Sequence, residues 1–210
     1  MVSPFVKVYV YRKLQSKKRF SEIEDILLAE IEKYLICEKV IKYNWFWSAG
    51  ANVPNASATI PGLILINAEW AYRIVIDSDN CNMHNAFDMT ICHELTHQEN
   101  DFCYFGLKKN DVKFVNWINE VHADFGATQK AFNGKRSYVK DAIEYKLKCK
   151  MQKDRDTWSH PSWLRRMNYL LKYNFDEKLI NDIAGDVGCK NDILIEAIGK
   201  HFDKIVLEEK

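Results

Sequence analysis

The stretch Ile91-Cys92-His93-Glu94-Leu95-Thr96-His97 restricts what this chain can fold into more than any other. On an α-helix, side chains one turn apart share a face, so His93 and His97 can aim both imidazoles at one metal ion while Glu94 leans over the same point. At roughly 100° per residue, Ile91, Leu95, Gln98 and Phe102 form a mostly apolar stripe, and His93, Glu94, His97 and Asp101 gather on another side. The segment is expected to bury one face and present a metal on the other. Three fixed letters in five also arise by chance, and helical histidines can be hydrogen-bonded without any metal, so a second constellation is needed.

A catalytic zinc takes three protein ligands and leaves a position for water. The third donor is found in Trp117-Ile118-Asn119-Glu120-Val121-His122-Ala123-Asp124-Phe125-Gly126-Ala127. Glu120 and Asp124 share a helix face, and the small Ala123 and Ala127 beside them let this helix approach the first closely. The intervening chain can end one helix near Gly106, turn through Lys108-Lys109-Asn110-Asp111 and bring a second helix back. His122 projects from another side of that helix and reads as a surface group or one behind the ligands; its competing role is third ligand in place of Glu120, in the manner of three-histidine zinc sites.

Together, HELTH at 93–97 and EVHAD at 120–124 resemble the gluzincin metallopeptidases, the group that includes thermolysin and the CAAX-processing and heat-shock zinc proteases. The resemblance implies His93, His97 and Glu120 as ligands of Zn2+, Glu94 as general base and Asp124 as the partner that holds His93. Downstream, His160-Pro161-Ser162 followed three residues later by Arg166 is similar to the HPS-xxx-R element of the CAAX and heat-shock type enzymes. That similarity offers His160 and Arg166 as donors to the carbonyl oxygen of a substrate. Their structural alternatives are a helix-start residue for His160 and an ion-pair partner of the glutamate helix for Arg166.

The implied fold is α+β and zincin-like, mainly helical, with a small mixed sheet whose edge strand precedes the HExxH helix, in a single zinc metallopeptidase domain over 1–210. The implied activity is zinc-dependent endopeptidase chemistry on a peptide or protein substrate. Zinc lowers the pKa of a water toward about 7, and Glu94 takes its proton. The alternative is a catalytically silent, zinc-stabilised binding or sensory module, which would have no need of Glu94.

Composition sets the outer bounds. A chain of 210 residues, 47% hydrophobic and 28% charged, suits one globular domain. A formal charge of +1 argues against nucleic acid or an acidic membrane held by bulk electrostatics. The apolar run from Leu63 to Ile76 is broken by Asn67, Glu69 and Arg73, so no membrane span is expected. The first residues do not resemble a secretory signal, and six cysteines without a CxxC pair read as reduced, mostly buried thiols in a cytoplasmic protein. Nothing in the sequence speaks to oligomeric state.

Along the chain, residues 5–11 suggest a strand and Ser21 to about Val40 a long amphipathic helix. The aromatic stretch Asn44 to Gly50 reads as packing, and Ala51 to Thr59 as a loop. Pro61 to Asn67 and Tyr72 to Ile76 read as strands, one of them the substrate-binding edge. The HExxH helix is expected from about Ala86 to before Gly106, with His84 in the loop ahead of it. Phe114 to Phe132 is the glutamate helix, closed by Asn133-Gly134. Ser137 to Gln152 forms a further helix whose lysines are a solvated face. Pro161 is placed in the first turn of the next helix, followed by a short helix at 179–184 broken by Gly185 and Gly188, and a last one over 193–206.

Overall fold

The computed structural model describes residues 7–9, 56–60, 63–66, 79–148 and 154–208. The expected helix from Ser21 to Val40, the aromatic stretch Asn44 to Gly50 and the extended run Tyr72 to Ile76 lie outside the described residues. From residue 79 onward the described chain forms six helices: α1 Cys81–Asn100, α2 Lys109–Phe132, α3 Arg136–Lys148, α4 Trp163–Lys172, α5 Glu177–Val187 and α6 Asp192–Glu208.

This corrects the α+β class expected from the sequence. The two hydrophobic cores are built by helices, with no strand among residues 79–148 and 154–208. Among the described residues extended backbone is confined to three short pieces, β1 Lys7–Tyr9, β2 Ala56–Ile60 and β3 Leu63–Ile66, in the order β1-β3-β2. Ala56 of β2 packs into one of these helical cores. Of the two runs expected as the edge, Pro61 to Asn67 contains β3, which is paired on both sides, while Tyr72 to Ile76 lies outside the described residues; among the described strands β2, read as part of a loop because of its small residues, ends the order.

Helix limits follow local chemistry more than apolar periodicity. α1 begins ahead of the expected Ala86 because the Asn80 side chain accepts a hydrogen bond from the Met83 amide, placing His84 inside the helix. α2 likewise begins ahead of Phe114, with Asp111 in its first turn, where a carboxylate favours the helix dipole. It ends as expected at Asn133, which adopts the left-handed conformation at φ 49°. Ser162, not Pro161, starts α4: its hydroxyl accepts from the Arg165 amide. Gly185 lies inside α5, and Gly188, at φ 70°, closes it.

One core packs Met83, Phe87, Ile91 and Leu95 of α1 against Val139 and Ile143 of α3. The other packs Phe114, Trp117 and Ile118 of α2 against α5 and α6. Fully burying side chains of this size stabilises by about 1.5–3 kcal/mol each, so Ile91 and Leu95 of the anticipated stripe, together with Met83 and Phe87, anchor the helix that carries the histidines, while Phe102 lies beyond α1 and packs against the other core. α1 and α2 meet most closely at Gly126, where a Cβ would lie 2.4 Å from Thr96 Oγ1. Ala123 and Ala127 are fully buried beside it, so three small residues set the separation between His97 and Glu120. Among the described residues no helix is long and apolar enough to cross a membrane.

Candidate metal centre

α1 supplies two imidazoles and α2 a carboxylate, and the three converge. His93 Nε2 and His97 Nε2 lie 3.0 Å apart, and their rings meet edge to face. Glu120 spans the pair, with Oε2 3.4 Å from His93 Nε2 and Oε1 3.4 Å from His97 Nε2. Donors held at zinc–ligand lengths around a tetrahedral ion stand roughly 3.3 Å apart. The donor set also has the right chemistry for a divalent ion of borderline softness. Among the described residues this trio is the one group of potential ligands whose atoms all lie within 4.8 Å of one another.

Each histidine is oriented by its own carboxylate. His93 Nδ1 donates to Asp124 Oδ1 at 3.0 Å, as the resemblance implied, and His97 Nδ1 donates to Asp101 Oδ1 at 2.7 Å. Placing the proton on Nδ1 turns both Nε2 lone pairs toward the centre. Arg166 Nη2 also comes within 3.2 Å of His93 Nδ1, but its proton has a nearer, charged acceptor in Asp124. Asp101 was grouped with the histidines by periodicity but given no role. The signal was its place one turn after His97.

Behind the trio, Arg166 is 3% exposed and holds two carboxylates at once. Its Nε donates to Asp124 Oδ2 at 2.7 Å, Nη2 to Oδ1 of the same group, and Nη1 lies 3.0 Å from Glu120 Oε2. Burial alone would raise Asp124, but the charge and hydrogen bonds of Arg166 prevail and lower it to about 2. Burial is likewise outweighed at Glu120, which Arg166, His160, His93 and His97 hold well below the usual carboxylate range. For His97, burial opposes the charge, while Asp101 and Glu120 overcome it and raise the imidazole well above its ordinary value. A metal must displace that proton to bind. Arg166 therefore sits as the ion-pair partner of α2, the alternative to the carbonyl-oxygen role.

His160 lies in the loop before α4, its side chain 55% exposed and its Nε2 3.2 Å from Glu120 Oε1. The loop is pinned: Thr157 binds the backbone of His160 through both its amide and its hydroxyl, and the Trp117 indole donates to the Thr157 carbonyl at 3.0 Å. Glu94 is 8% exposed, and its Oε2 accepts the Ala58 amide of β2 at 2.7 Å. Glu94, His97 and His160 face one cavity of about 590 Å³, into which Ala58 also opens.

Two expectations are corrected at this site. His122 packs against Phe175 and Phe202 with centroids at 4.8 and 4.2 Å, where burial lowers it to about 3, and it is not among the converging donors. Lys146, assigned to a solvated face, is 4% exposed and lines the cavity. Position 146 follows Val139 and Ile143 by seven and three residues, so helical spacing already put it on the buried stripe. Cys92, expected to pack, is fully buried, and burial pushes its thiol up.

Asp124→Asn keeps the shape but gives the His93 N–H a weaker acceptor. Zinc affinity is expected to fall about 10–100-fold, read by competition against a chromophoric chelator; an unchanged affinity would remove Asp124 from the site. Comparison of the chain with protein-family models, with curated proteins and with solved structures finds no match.

Proposed function

We propose that the chain is a zinc-dependent endopeptidase of the gluzincin type, with His93, His97 and Glu120 as ligands and Glu94 as general base. The observation that carries this is the convergence of the three donors in the cavity that Glu94 also faces. A zinc ion held by these residues would polarise a water and a substrate carbonyl.

This chain's own residues then divide the work. Glu94 is fixed by the Ala58 amide through Oε2, which leaves Oε1 to accept a proton from the water and return it to the departing amine. His160, exposed beside Glu120, donates to the carbonyl oxygen as charge develops there. β2, at an edge among the described strands and against the cavity, aligns an extended peptide by main-chain hydrogen bonds. A reducing compartment such as the cytoplasm suits the free thiols of Cys81, Cys92, Cys103 and Cys189.

The test is metal analysis of purified protein together with digestion of a peptide library. About one zinc per chain is expected, with cleavage that a chelator stops and added zinc restores. Cleavage indifferent to the chelator, or zinc bound with no peptide cut, overturns the reading.

A further inference from the structure

The geometry points to Lys146 as a specificity-determining residue that selects peptides bearing a carboxylate close to the bond at the metal centre. The location of the substrate rests on the peptidase reading above; the recognition chemistry does not.

Lysine is rarely buried to this degree, and Lys146 is 4% exposed in the last turn of α3. Its Nζ stands 4.4 Å from the Trp163 ring centroid, and Arg166 Cζ lies 4.2 Å from the centroid of the same ring. Two cations thus share one indole beside the catalytic cavity, which Lys146, Trp163 and Arg166 all line. Burial first, and then the charge of Arg166, lower the Lys146 ammonium to about 7, against the pull of Asp124, Glu94 and Glu120. Arg166 holds Asp124 and Glu120, and the Ala58 amide holds Glu94.

A lysine that only complemented the dipole at the end of α3 could do so from solvent, as the exposed Lys148 does in the same turn. Carried into the cavity wall and lowered to about 7, Lys146 gains its proton most readily when a carboxylate enters beside it. An incoming carboxylate adds to the contacts Lys146 already makes, and gains a charge-assisted hydrogen bond. That carboxylate has two sources, an Asp or Glu side chain of the substrate or its free C-terminus.

The experiment measures binding without turnover. Zinc-loaded Glu94→Gln protein is titrated with three acetylated hexapeptides: one carrying a single Glu with an amidated terminus, its Gln counterpart, and the Gln peptide with a free terminus. One of the two carboxylate peptides is expected to bind about tenfold tighter than the neutral one, and which of them does so identifies the source. Adding Lys146→Met, or Lys146→Gln should the first not fold, erases the difference and leaves the neutral peptide bound as before, while Lys146→Arg retains it. Equal affinities for all three peptides, no binding of any, or a preference that survives loss of the ammonium overturns the proposal. Preferential binding by a protein whose native form cuts none of the peptides leaves Lys146 standing and removes the peptidase reading instead.

Discussion

Glu94→Gln is expected to lower peptide hydrolysis about 10²–10⁴-fold, the usual contribution of a positioned general base, with zinc content unchanged. The substitution isolates proton transfer because the glutamine carbonyl can still accept the Ala58 amide that now binds Glu94 Oε2 at 2.7 Å. The side chain keeps its place and its size, and loses only the ability to take a proton from water. None of the three converging donors is touched. The measurement is kcat/KM on a peptide cut by the native protein, with zinc determined on the same samples. A variant that still binds zinc and cleaves at the native rate would exclude Glu94 as the base. If the native chain were a binding or sensory module, its function would survive the substitution intact.

The site was more legible in the sequence than the fold around it, for a physical reason. His93, Glu94 and His97 lie within two turns of one helix, and helical geometry fixes their relation whatever surrounds them. Glu120 and Asp124 repeat that logic, and the small residues at 123, 126 and 127 show that the two helices can meet. Sequence spacing carries no such rule between elements. The sequence offered Arg166, which arrives from a separate helix after a loop, both as an ion-pair partner of the glutamate helix and as a donor to substrate, and could not choose between them. The structure pairs it with Asp124 and Glu120.

Two further residues of the site follow helical spacing. Lys146 was read by residue type, although its spacing from Ile143 placed it with the apolar positions. Asp101 had the one-turn spacing to orient His97 and was given no role. The fold class went wrong because short β-branched runs such as Leu63 to Ile66 were given the weight of an organising sheet. In the described chain the burial belongs to helices, whose limits were set by Asn80, Asn133 and Ser162.

Arg166→Met is expected to destabilise the metal-free protein by about 3–5 kcal/mol at neutral pH, because it strands two buried carboxylates whose desolvation the guanidinium offsets. Asp124 is 1% exposed, so water cannot take over its missing donors, whereas Glu120, which lines the cavity, is rescued by water only in part. The pH dependence gives the prediction its sign. A carboxylate depressed from 3.8 to about 2 stabilises the native fold above its unfolded value, and that contribution is lost as pH falls toward 2. Without Arg166 the depression is gone and protonation relieves the stranded charge, so the gap between native and variant narrows as pH drops through the carboxylate range. Zinc, whose charge would meet Glu120 from the other side, recovers part of the loss by mass action. Arg166→Lys does not, since an ammonium cannot present Nε and Nη2 to both Asp124 oxygens while reaching Glu120. Urea unfolding with a chelator at two pH values, then with zinc, reads all of this. A difference below about 1 kcal/mol, a range typical of solvent-exposed pairs, or one that does not change with pH, would mean that Asp124 and Glu120 are balanced by something other than Arg166.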